Sequence, residues 1–149
     1  MSMFIVRIGV LVLVTALLWL LVWTGRRFVG MQRRLALAAT PIASHYVDAN
    51  ASLSLVRILA FSSDDCRQCH ELQIPALQRV LEARGTKVSV AEIDAPNSPD
   101  LTQRYRVLTV PSTVVMDAQG RAHAVNYGFA NTQRLLEQVD EVLAKVPVS

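Results

Sequence analysis

Hydrophobic and polar positions along the chain follow two different rules. Met3 to Trp23, MFIVRIGVLVLVTALLWLLVW, is apolar throughout except for Arg7 near its start. At about 1.5 Å per residue, roughly 20 helical residues cross a hydrocarbon core about 30 Å thick. Trp19 and Trp23 suit the headgroup belt, and Arg7 can snorkel outward. A buried core helix and a cleaved signal peptide are the competing readings. A signal peptide carries an apolar stretch of about 7–15 residues and then a small-residue cleavage site. Here the run is longer and ends in Trp-Thr-Gly-Arg-Arg, and the small residues of Leu35–Ala38 follow only after Arg26, Arg27, Arg33 and Arg34. The run is therefore read as an uncleaved transmembrane anchor, residues 1–25.

Residues 26–50 read as a juxtamembrane helix and linker. Gly25 to Ala39 has few helix breakers and continues as a helix near the membrane surface. Pro41 ends it by pushing residue 40 from helical angles. Ser44 to Ser54 is polar and irregular.

From residue 51 to 149 short patterned segments alternate. Leu55–Phe61 is an apolar run suited to a buried strand. Ser62 to Asp65 are turn and cap types. Cys66 to Ala83 is helical, with Leu72, Ala76, Leu77, Val80 and Leu81 on one face, a kink at Pro75 and a stop at Gly85. Lys87–Asp94 alternates as a strand. A turn over Ala95–Pro99 leads to a short helix near Asp100–Tyr105. Ser112–Met116 is a β-branched strand, and Asp117–Gly120 turns the chain back through Ala122–Tyr127. Asn131 or Thr132 caps a last helix with the stripe Leu135, Leu136, Val139, Val142, Leu143 and Val146, closed by Pro147. The order βαβα then ββα predicts an α/β domain: a mixed sheet flanked by helices.

Charge changes the picture in one respect. The net +3 is concentrated before residue 51, where the sum is +4; the remainder sums to −1. The basicity belongs to the membrane flank, where arginines meet lipid headgroups, and no basic patch remains for nucleic acid. Arginines after the span favour a cytoplasmic C-terminal domain over an extracytoplasmic one.

Two cysteines exist, in Cys66-Arg67-Gln68-Cys69. At a helix start the Cys66 sulfur faces unpaired N–H groups and the positive end of the helix dipole. Both favour the thiolate, which is the attacking species. Cys69, one turn on, can attack Cys66 and resolve a mixed disulfide. Cys66 is thus the candidate nucleophile and Cys69 the resolving thiol, with Asp65, Arg67 and His70 placed to tune them. A static disulfide is a poor alternative, since so short a loop stabilises little by chain entropy. Cys66–His70 also spells the c-type haem pattern. Haem requires an apolar pocket and usually a second axial ligand, and His45 and His123 are the remaining histidines. A structural zinc set would lack further cysteines. No metal and no cofactor beyond the Cys66–Cys69 disulfide is expected.

The strand before Asp65-Cys66-Arg67-Gln68-Cys69, the Pro-interrupted helix, Val90–Asp94, Tyr105-Arg106-Val107-Leu108-Thr109-Val110-Pro111-Ser112-Thr113 and Tyr127-Gly128 together resemble the thioredoxin family, over roughly residues 55–146. The resemblance implies a cis Val110–Pro111 bond facing the cysteines, the alternative being an ordinary trans proline at a strand start. It also implies a substrate-binding role for Val110 and Pro111, with Val110 offering its backbone to an extended segment. The sequence departs from the family pattern at Asp65 (usually Trp), at Arg67-Gln68 (usually Gly-Pro) and at Ala60, where many members bury an acid; Glu92 is a candidate substitute. Pro75 lies one residue further on than usual, and residues 40–54 show no counterpart of the family's first strand and helix. The expected function is membrane-anchored thiol–disulfide exchange with protein thiols and disulfides, fed by an unidentified electron donor. The alternative is a binding module on the same fold with little redox activity.

Overall fold

The computed structural model describes residues 2–39 and 54–145. Pro41, Val146, Pro147 and most of the irregular connector lie outside the described residues. The chain divides into two units, residues 1–34 and 35–149.

The first unit is carried by α1 (Ser2–Leu37). No break separates the anchor from the juxtamembrane helix expected after it; one helix runs through Gly25 and Gly30. Over Val6–Leu37 it is long and apolar enough to cross a membrane by length and composition, and a signal sequence would share those properties. Its two threonine hydroxyls are satisfied locally. Thr15 Oγ1 donates to Leu11 O at 3.0 Å and Thr24 Oγ1 to Leu20 O at 2.9 Å, as apolar surroundings require.

In the second unit β1 (Val56–Ser62), β2 (Val88–Asp94), β3 (Ser112–Asp117) and β4 (Ala122–Tyr127) form a sheet of order β2-β1-β3-β4. β1 pairs parallel with β2 and antiparallel with β3, and β3 with β4 is a hairpin. Its turn is closed by Gly120 N–H donating to Asp117 O at 2.9 Å, and Gly120 supplies the φ of 79° that the turn requires. Helices α2 (Ile74–Arg84) and α4 (Thr132–Leu143) cover one face, and α3 (Pro99–Arg104) the other. Leu77 and Val80 meet Leu135, Val139 and Val142 over Ile58 and Val115 on the first face; Leu101 and Tyr105 meet Leu59, Phe61, Val114 and Met116 on the second. Burial on both faces explains why β1 reads as a continuous apolar run rather than an alternating one. Asn131 caps α4, its Oδ1 accepting from Arg134 N–H at 2.9 Å.

Asp117 is buried at the far end of β3. Burial pushes its carboxyl up, but hydrogen bonds from His123, the Arg121 backbone and the Arg121 guanidinium outweigh this and hold it below the ordinary carboxylate range.

Tyr105, 1% exposed, packs on Phe61, yet its hydroxyl meets no hydrogen-bond partner among the described residues. Burial pushes its phenol up to about 12, against a smaller lowering by the Arg104 charge. The folded state therefore holds this proton more tightly than the unfolded chain. The associated stability is complete below pH 10 and drains as pH rises toward 12. Tyr105→Phe should raise stability by about 1 kcal/mol at neutral pH, because an unpaired buried hydroxyl is removed. It should also flatten the alkaline decline, both read from urea unfolding at pH 7 and pH 11. Equal or lower stability at both pH values would contradict the assignment.

Candidate active site

The loop from β1 to α2 begins at the C-terminal end of β1. Cys66 N–H donates to Ser63 O at 3.0 Å, and helical geometry starts at Arg67. Cys66 and Cys69 are joined by a disulfide with an S–S distance of 2.01 Å. Cys69 N–H points back at Cys66 Sγ, 3.2 Å away, so the helix start donates directly to that sulfur. The two sulfurs differ in access: Cys66 is half-buried, whereas Cys69 is 1% exposed.

Pro75 disturbs the following helix in a specific way. Lacking an N–H, it cannot continue the ordinary ladder. The chain instead widens into a π turn over Cys69–Gln73, with Ile74 N–H donating to Cys69 O. The inserted geometry rotates the residues before it. Leu72, expected on the inner face, is 46% exposed, and Gln73 is buried in its place. Gln73 holds the turn down: its Nε2 donates to Ala130 O at 3.1 Å and its Oε1 accepts from Ala130 N–H at 3.0 Å. The sequence does carry a signal for this, since Gln73, Ala76, Leu77 and Val80 have helical spacing.

Antiparallel pairing brings a second segment to the same end of the sheet. Phe61 pairs with Ser112, so Pro111 lies beside the point where β1 leaves for Cys66. The Val110–Pro111 bond is cis, Pro111 is buried and Val110 half-buried. Ser112, fully buried, donates from Oγ to Thr109 O at 2.6 Å and closes the loop bearing Val110 and Pro111. Gln73 is a supporting residue that motif reading did not single out, and Ser112, quoted within its motif, was given no role there.

This arrangement has close parallels among known proteins. A thioredoxin of Alicyclobacillus acidocaldarius is 27% identical over 78 residues, 52% of this chain and 72% of that protein. The chain has the thioredoxin fold and is similar in sequence to thioredoxins. A variant thioredoxin from Halobacterium salinarum superposes with a TM-score of 0.58 at 24% identity, over 72% of this chain and 91% of that one. Chloroplastic thioredoxin z gives 0.54 at 28% identity, over 64% and 85%. No protein-family model matches the chain. The thioredoxin fold together with the Cys66–Cys69 disulfide supports thiol–disulfide oxidoreductase chemistry in general.

Two of the neighbours expected to tune this thioredoxin-like site, Arg67 and His70, have contacts of their own. Arg67 Nε binds Glu71 Oε1 at 2.7 Å on the exposed helix surface. His70 Nε2 lies 3.2 Å from Asp64 O, and Asp65 is exposed in the turn. Glu92 pairs with Ala60 in the sheet, but its side chain is exposed. Among the described residues the buried carboxylate is Asp117, at the opposite end of β3. Among the described residues, then, no buried carboxylate stands at the Cys69 end of the sheet. No group of three or more His, Cys, Asp and Glu side chains able to hold a metal occurs among the described residues.

Proposed function

We propose that the protein is a membrane-anchored thiol–disulfide oxidoreductase acting on protein disulfides, with Cys66 as nucleophile and Cys69 as resolving thiol. The observation that supports this best is the unequal placement of the two sulfurs. Cys66 is accessible and accepts a hydrogen bond from a helix-start N–H, while Cys69 is sealed behind it. A donor directed at sulfur stabilises the thiolate over the thiol. The reduced pair attacks a substrate disulfide through the Cys66 thiolate, forming a mixed disulfide and expelling one substrate thiolate. Cys69 then loses its proton and attacks Cys66 Sγ, closing the Cys66–Cys69 disulfide and releasing the second substrate thiol. Two electrons pass to the substrate, and a separate dithiol donor must restore the pair. The disulfide is the redox group, and no other cofactor takes part. Val110 and Pro111, at the same sheet end, present the backbone against which an extended substrate segment docks.

The arginine-rich flank of α1 supports a cytoplasmic domain, and in that compartment the thiol pool would keep the pair reduced and the protein would work as a reductase. Membrane-impermeant thiol labelling of reduced, intact cells tests this, with turnover on a protein disulfide measured in parallel. The cysteines should label only after permeabilisation, and dithiol-dependent turnover should require both. Labelling in intact cells would reverse the topology. Slow alkylation with no turnover would favour a binding module instead.

A further inference from the structure

The C-terminal third of α1 carries a feature that the redox chemistry does not use. At 3.6 residues per turn, Trp23, Arg27, Gly30 and Arg34 fall on one helix face, with Arg26 and Met31 at its two sides. These six residues line a concavity on the helix. Gly30 leaves its floor without a side chain, and a Cβ built there would meet nothing within 4 Å, so the space between Arg27 and Arg34 is open. Arg27 is oriented by its neighbour, its guanidinium lying over the Trp23 ring at 5.2 Å from the centroid. Trp23 in turn stacks on Trp19 at 6.4 Å. The first carboxylate in the sequence is Asp48, so α1 supplies no internal counter-ion to these cations.

We infer that this notch seats the phosphate of an anionic membrane phospholipid, held between Arg27 and Arg34 over Gly30. Arg26 stands at the rim, and Trp23 and Met31 lie against the glycerol and upper acyl chain. The inference rests on the reading of α1 as a membrane span. Position argues for a lipid. An apolar stretch of about 20 residues fills the hydrocarbon core, and the notch opens where the helix emerges among the headgroups. Chemistry agrees: guanidinium forks match phosphate oxygens, and an arginine already stacked on an aromatic ring loses less freedom on binding. Two arginines two turns apart, roughly 10 Å along the axis, bracket a headgroup rather than merely adding to surface charge.

The test uses the full-length protein in nonionic detergent micelles, titrated with short-chain phosphatidylglycerol, phosphatidylcholine or inorganic phosphate. Both tryptophans lie in α1, so their emission reports this face directly. Phosphatidylglycerol should shift the emission saturably, and neither phosphatidylcholine nor phosphate should do so at matching concentration. Gly30→Leu alters no charge, meets open space and favours helix, yet by filling the notch it should weaken binding roughly tenfold. Arg27→Ala should weaken it roughly fivefold or more, and Arg33→Ala, off this face, less than twofold. An equal response to phosphatidylcholine or to free phosphate would overturn the lipid seat. So would parent-like binding by Gly30→Leu, or an equal loss in Arg33→Ala. Alkaline extraction of native membranes addresses the span separately: release of the protein would remove the span while the micelle titration still reads the notch.

Discussion

Cys69→Ala will accumulate a mixed disulfide with its substrate, whereas Cys66→Ala will form none. Both variants should lose multiple-turnover reductase activity by roughly 10³-fold or more, the scale on which removing a member of a catalytic unit acts. They differ in where the cycle stops. Without Cys69, Cys66 still attacks and remains bound to the substrate sulfur, because no second thiol lies within reach to displace it. Without Cys66, the remaining sulfur is Cys69, 1% exposed in the native protein and out of contact with a protein-sized disulfide. Non-reducing electrophoresis after incubation with a disulfide-bonded protein, followed by mass spectrometry of the adduct, distinguishes the two. If Cys66→Ala trapped substrate as readily as Cys69→Ala, the assignment of roles would be reversed.

Gln73→Leu should be the most damaging substitution of a residue that never meets substrate. The side chain is buried and bonded twice to the backbone of Ala130, itself 4% exposed. Leucine keeps the volume but strands a buried N–H and a buried C=O, at about 1–3 kcal/mol each. A total of about 2–6 kcal/mol is a large share of the 5–15 kcal/mol typical of a domain. It should lower the thermal midpoint by roughly 10 °C or more, followed by far-UV circular dichroism of the detergent-solubilised protein. Gln68→Ala, on the exposed side of the same turn, serves as the control and should stay within about 0.5 kcal/mol. A midpoint for Gln73→Leu no lower than that of the control would mean that the clamp does not hold the π turn. Because that turn carries Cys69, the same variant should also slow turnover.

Much of the domain is legible in residue pattern. β-branched and apolar runs at Val56–Phe61 and Ser112–Met116 make strands wherever they are placed, and Gly85, Gly120 and Asn131 mark ends that local backbone chemistry enforces. The cysteine pair at a strand-to-helix junction is similarly local. The inner face of the first helical turn was only half legible, in the helical spacing of Gln73 with Ala76, Leu77 and Val80. Pro75 announces a disturbance, yet kink and π turn both answer a missing N–H; only packing against Ala130 selects the one that buries Gln73 and exposes Leu72. The surroundings of Arg67 were not legible for a related reason. Spacing places it next to the thiols, but an i,i+4 carboxylate at Glu71 competes for it and holds it at 2.7 Å.

By itself, the sequence determined where helix and strand form, where the apolar helix lies and where two sulfurs meet a helix start, since each depends on neighbours within a few residues. Tertiary structure, and no local pattern, sets β3 antiparallel beside β1 and brings Pro111 to the end of the sheet where Cys66 stands, a placement that the family resemblance implied and residue spacing did not. That choice joins Phe61 to Ser112 across half the domain. It is settled by how all the buried faces pack at once, a free-energy competition that no local pattern records.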